Sequence, residues 1–106
     1  MYLETKEAGE AEVTEAPAKV MKLSKAIRIG ARIRPQGFGA YFHVGRSCAL
    51  GAAFEGMKGR PANSIGRLIW DELGISPRLH DRIVDLNDAQ HWTREQIADW
   101  LEAEGY

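Results

Sequence analysis

The chain has 106 residues, 44% hydrophobic and 27% charged, with one cysteine and a formal net charge of −1, which suits one small domain with an apolar core. Its longest apolar run, residues 48–54, is seven residues counting Gly51, far short of the ~18–20 that cross a bilayer, so no membrane span is expected. One thiol forms no intramolecular disulfide, no Cys pair supplies a zinc ribbon, and the acidic opening Met1-Tyr2-Leu3-Glu4 is unlike a secretory signal, so a cytosolic protein is expected.

Residues 1–18 set Lys6 against five glutamates, a net of −4, and offer only Tyr2, Leu3 and Val13 as sizeable apolar groups. That burial is too small to offset the entropy of ordering, so residues 1–20 are expected to form a disordered acidic tail. Helical periodicity begins at Met21, an alternative start, and residues 21–106 are expected to form one helical domain. Ser24 reads as the N-cap of a helix with Leu23, Ile27, Gly30 and Ala31 inward, widened by Ala26, Ile29 and Ile33, and stopped by Pro35. Lys25, Arg28 and Arg32 follow one another along its outward side as a basic stripe, with Lys22 a turn earlier.

Residues 36–45 break the helical period with glycines and aromatics and read as a loop or short hairpin. Ser47 reads as the cap of the next helix, where Leu50, Phe54 and Met57 make a large-residue stripe. Its other face, Cys48, Ala49, Ala52, Ala53 and Gly56, is small enough for a second helix to approach closely, which places this helix at the centre of the fold. After the turn Gly59-Arg60-Pro61, Ser64 is expected to cap a helix from Ile65 to Leu73, with Gly74 as its stop. Ser76-Pro77 opens a further helix, with Leu79, Ile83 and Leu86 inward, running to about Leu86. Thr93 and Gln96 spell a capping box for the last helix, where Ile97, Trp100 and Leu101 are apolar. The expected fold is therefore a mainly α single domain of four to five short helices with one aromatic, Gly-rich loop or short hairpin.

Charge is segregated along the chain. Residues 19–67 set ten bases against Glu55 alone, a net of +9, and residues 68–106 set three arginines against nine acids, a net of −6. The acidic half either neutralises the basic segment within the fold or leaves it exposed to an anionic partner.

The candidate chemical motifs are mostly incomplete. Gly37-Phe38-Gly39-Ala40-Tyr41-Phe42 approaches an RNA-recognition signature, but Gln36 stands where a base belongs and Ala40 where an aromatic belongs. The helices opening at Pro77 and Arg94 have the outline of a helix-turn-helix, yet the second carries Glu95, Asp99, Glu102 and Glu104, which phosphate would repel. His43, His80 and His91 lack metal-ligand spacing, and the Asp85-Leu86-Asn87-Asp88 start of a calcium loop fails at Gln90 and Gln96. Cys48 paired with His43 or His80 is a conceivable thiolate, but an inert buried thiol is the expected role. No phosphate loop occurs, so no metal or cofactor is expected.

Arg46-Ser47-Cys48-Ala49-Leu50-Gly51-Ala52-Ala53, Leu86-Asn87-Asp88 and Trp92-Thr93-Arg94-Glu95-Gln96-Ile97-Ala98-Asp99-Trp100 resemble segments of a group of small bacterial and phage-encoded proteins of unknown function. The resemblance covers Met21 to about Glu104 and implies a domain beginning at Met21. Some of those proteins carry a Cys-x-x-Cys insertion and nearby histidines that imply zinc. This chain lacks both cysteines and has Asp85 and Gln90 at the corresponding histidine positions, so no metal site carries over. The resemblance also implies a lock in which Asn87 and Asp88 bond adjacent backbone while Trp92 packs beneath the last helix.

The functional expectation is a non-enzymatic cytosolic interaction module, monomeric or weakly dimeric, that meets a protein partner through Lys25, Arg28, Arg32, Arg34, Phe38 and Tyr41. The alternative is nucleic-acid binding through the basic segment 19–67, with the acidic tail as competitor.

Overall fold

Leu23, Ala26, Ile27 and Gly30 recur at the spacing of one helical face. In the computed structural model, which describes residues 21–61 and 69–106, they are the buried side of helix α1 (Leu23–Ala31). A hairpin follows, with β1 (Phe42–His43) antiparallel to β2 (Arg46–Ser47) and Phe42 opposite Ser47. Helices α2 (Ala49–Lys58), α3 (Ile69–Leu73) and α4 (Pro77–Val84) come next; α4 continues into one π-helical turn, Asp85–Ala89, before α5 (Arg94–Ala103). The protein is thus a mainly α domain with one small hairpin. Among the described residues, no helix is long and apolar enough to cross a membrane.

Helix α2 is the middle of the fold, with every residue from Ala49 to Glu55 buried. Its small face takes α1 at backbone contact. A Cβ on Gly30 would collide with the Ala52 carbonyl and one on Gly56 with the Ala26 carbonyl, so each helix offers a glycine to the other's backbone. Ile27, Leu50, Ile69, Ile83, Ile97 and Leu101 complete the core, each contributing about 1.5–3 kcal/mol by leaving water.

Several helix ends follow their local signals. Ser76 Oγ accepts from the Leu79 N–H at 3.1 Å with Pro77 in the first turn, and the Thr93/Gln96 capping box is complete. Gly59 and Gly74 take left-handed conformations after α2 and α3.

Other ends do not. Ser24 lies inside α1 after Lys22, buried, and its hydroxyl donates to the Tyr106 carbonyl at 3.2 Å. The N-cap of α2 is Cys48, whose sulfur accepts from the Gly51 N–H, while Ser47 sits in β2 with its hydroxyl accepting from Arg94. Helix α1 stops before Pro35: the Arg32 and Ile33 N–H groups fold back onto the Ile29 and Gly30 carbonyls, which turns Ile33 outward to 50% exposure. Helix α4 gives way after Val84, where the wider turn brings both Leu86 and Asn87 inward. The acidic tail expected over 1–20 and the Ser64 cap lie outside the described residues.

Candidate functional site

Asn87 ties the loop that precedes the hairpin to the body of the fold. Asn87, 1% exposed on the π turn, accepts through Oδ1 from the Ala49 N–H at 3.0 Å and from Gln36 Nε2 at 2.9 Å. Its Nδ2 donates to the Gly37 carbonyl at 3.0 Å and to Asp88 Oδ1 at 2.7 Å. Gln36 Nε2 also donates to the Trp92 carbonyl at 2.9 Å. The bonds expected from Asn87 to adjacent backbone are not the ones it makes: its side chain joins the distant loop at Gln36 and Gly37 to the first turn of α2, because burial leaves it the partners that packing brings near. Trp92 is half-buried against the core.

Beside this lock the loop residues Gly39, Ala40 and Tyr41 lean over a pocket of about 330 Å³. Cys48 and Leu50 of α2, His80, Ile83 and Val84 of α4, and Asn87 and Asp88 of the π turn form the remainder of its lining. Its size is at the small end of ligand cavities, about 300–1,000 Å³, and its walls are mainly apolar.

Tyr41 Oη lies 2.7 Å from His80 Nε2, and His80 Nδ1 lies 2.9 Å from Asp81 Oδ1. A carboxylate only accepts, so it assigns the imidazole proton to Nδ1; Nε2 then accepts from the phenol, whose oxygen keeps lone pairs for a further donor. Trp70 meets the His80 ring edge-on at 5.2 Å, which fixes its plane. Burial pushes the Tyr41 phenol up, helped by the charges of Cys48 and Asp81. Burial likewise raises the Cys48 thiol against the pull of backbone N–H groups at the start of α2. The thiolate considered for Cys48 is therefore disfavoured: desolvation outweighs the helix terminus. His43 stands exposed on the hairpin. Among the described residues, no group of three or more His, Cys, Asp or Glu side chains is placed to hold a metal ion.

The six residues singled out from the sequence are dispersed. Lys25 and Arg32 are exposed on and just after α1. Arg28 is clamped by three carboxylates of α5, Glu95 at 3.3 Å, Asp99 at 2.6 Å and Glu102 at 2.9 Å, and bonds to Asp99 and Glu102 hold its pKa above the ordinary arginine value. Arg34 forms a fork with both oxygens of buried Glu55, each at 2.8 Å. The lone acid of the basic segment is thus its internal counter-charge. Phe38 faces outward at 47% exposure and stacks on His91 with centroids 4.7 Å apart. Tyr41 alone of the six lines the pocket.

Sequence reasoning considered His80 and Asn87 for other partners and missed the role of Arg94. Arg94 is 7% exposed and donates to the Ser47 carbonyl and hydroxyl and to the Ala31 and Arg34 carbonyls, tying α5 to the hairpin and to the end of α1. Burial lowers its pKa. A cation in the first turn of a helix opposes the macrodipole, a local signal that Arg94 serves a tertiary purpose. Asn87 had its own signal, a polar residue next to Leu86 and one turn beyond Ile83 on an apolar face. Comparisons with protein-family models, with curated proteins and with solved structures find no match to this chain.

Proposed function

We propose that the chain is a non-enzymatic cytosolic binding module whose recognition site is the pocket beneath the Gly39 to Tyr41 lip, where it holds a small, mainly apolar group. The observation that carries this reading is the pocket itself, in which polar groups from the loop, α4 and the π turn converge on a floor of Leu50 and Ile83. Burial raises the proton affinity of Cys48 and Tyr41, which disarms both as nucleophiles and favours binding over covalent catalysis. Nucleic-acid binding through segment 19–67 is a second reading, supported by exposed Lys25 and Arg32. The carboxylates on Arg28 and Arg34 weigh against it.

A fragment titration of the full chain followed by amide NMR tests the first reading. Hits should shift Ala40, Tyr41, Leu50, Val84 and Asp88, and Ala40→Trp, which adds bulk at the lip, should weaken them about tenfold or more. Hits that scatter over the surface, or that ignore Ala40→Trp, would overturn it. Salt-sensitive binding of nucleic acid that Lys25→Glu with Arg32→Glu abolishes would instead establish the second reading.

A further inference from the structure

The side chains that line the pocket offer acceptors and almost no free donors, a polarity that selects its ligand. Both amide hydrogens of Asn87 are spent on the Gly37 carbonyl and on Asp88, and its oxygen on Ala49 and Gln36. The Tyr41 proton is directed to His80. Among the side chains of the lining, polar capacity remains on the phenol oxygen, the Asp88 carboxylate and the weak donor Cys48. None of the described lining residues is Lys or Arg, and among the described residues Asp88 has no cationic partner within 4 Å. The negative field of this corner is already felt by its neighbours, since the Asp88 charge helps to raise the Cys48 thiol and the Asp81 charge the Tyr41 phenol.

Building on the pocket reading above, we infer that its ligand is a small organic cation, a primary amine on an apolar body. The ammonium is held by the Asp88 carboxylate and the Tyr41 phenol oxygen, and the body lies against Leu50, Ile83 and Val84. A charge-assisted N⁺–H···O⁻ bond is roughly twice as strong as a neutral one, and an ammonium brings the donors that these side chains lack. An anion of the same shape would meet a carboxylate that no base among the described residues offsets.

Three probes of one shape separate the possibilities: 2-phenylethylamine, 2-phenylethanol and 3-phenylpropanoate, titrated into the full chain with the lining amides followed by NMR. The amine should bind about tenfold or more tightly than the carboxylate, with the alcohol between them. Asp88→Asn keeps an oxygen to accept from Asn87, removes the charge and replaces the second oxygen with an amide donor. In that variant the preference for the amine over the alcohol and over the carboxylate should collapse. Equal or tighter carboxylate binding, or an amine preference that survives Asp88→Asn, would overturn the cation assignment while leaving the pocket as a binding site. No response of the lining amides to any of the three probes would overturn both.

Discussion

Along its length α2 meets α1 through glycine and alanine, with Gly30 on the Ala52 carbonyl and Gly56 on that of Ala26 at backbone contact. At its N-terminal end the same helix meets the loop and the π turn through hydrogen bonds that converge on Asn87, next to a cavity of about 330 Å³. The first contact draws its strength from close packing and tolerates no added volume. The second draws its strength from directional bonds, which hold a lip over an opening without filling it. A domain this small has one core to stabilise it, so the dense side of α2 supports the open one.

The sharpest way to break this contrast is at the dense side. Gly30→Val would drive a branched side chain into the Ala52 backbone, and it should cost about 3 kcal/mol or more, read as a lower urea midpoint for the whole domain. Asn87→Ala should cost somewhat less, about 2–3 kcal/mol, because the Ala49 N–H and the Gly37 carbonyl lose their partner in a buried site. Its signature should be local, with faster hydrogen exchange at the loop and first turn of α2 than at α1; uniform acceleration would mean that the two sides of α2 are not separable.

The hairpin tip sharpens the comparison from the opposite direction. Val44 has φ +50, a left-handed conformation that a β-branched residue rarely adopts, and it is exposed and followed by Gly45 at φ +73. Val44→Asn suits this turn and should stabilise by about 1 kcal/mol, seen as a higher thermal midpoint with no change at the pocket.

The smallest expected effect is a pH dependence. Cys48 has a raised pKa in the folded state, so the fold binds that proton more tightly than the unfolded chain does. Its contribution is fully present below the ordinary thiol value and is lost as pH rises above it toward the folded value. Cys48→Ala should flatten the alkaline limb of a stability profile, and the native thiol should resist a disulfide reagent at neutral pH until denaturant is added.

What could be read directly from the chain are the features made within one or two helical turns. The Ser76-Pro77 start, the Thr93/Gln96 box, the Gly74 stop and the apolar stripes of α1, α2 and α5 involve neighbours along the backbone, and their spacing encodes them. The small face of α2 was legible for the same reason, since helical geometry alone gathers Ala49, Ala52, Ala53 and Gly56.

The candidate site was not legible, because its bonds join residues far apart in the chain. Tyr41 finds His80 across 39 positions, Gly37 finds Asn87 across 50, and Arg28 finds Asp99 across 71. Ser24 and Ser47 have the chemistry of caps, yet a distant carbonyl and a buried guanidinium claimed their hydroxyls first. The sequence by itself determined which segments coil, where several of them stop, and which faces seek the core. Only the tertiary structure decided which polar groups were left over after packing, because a buried donor or acceptor must take whatever partner the assembled fold brings within reach.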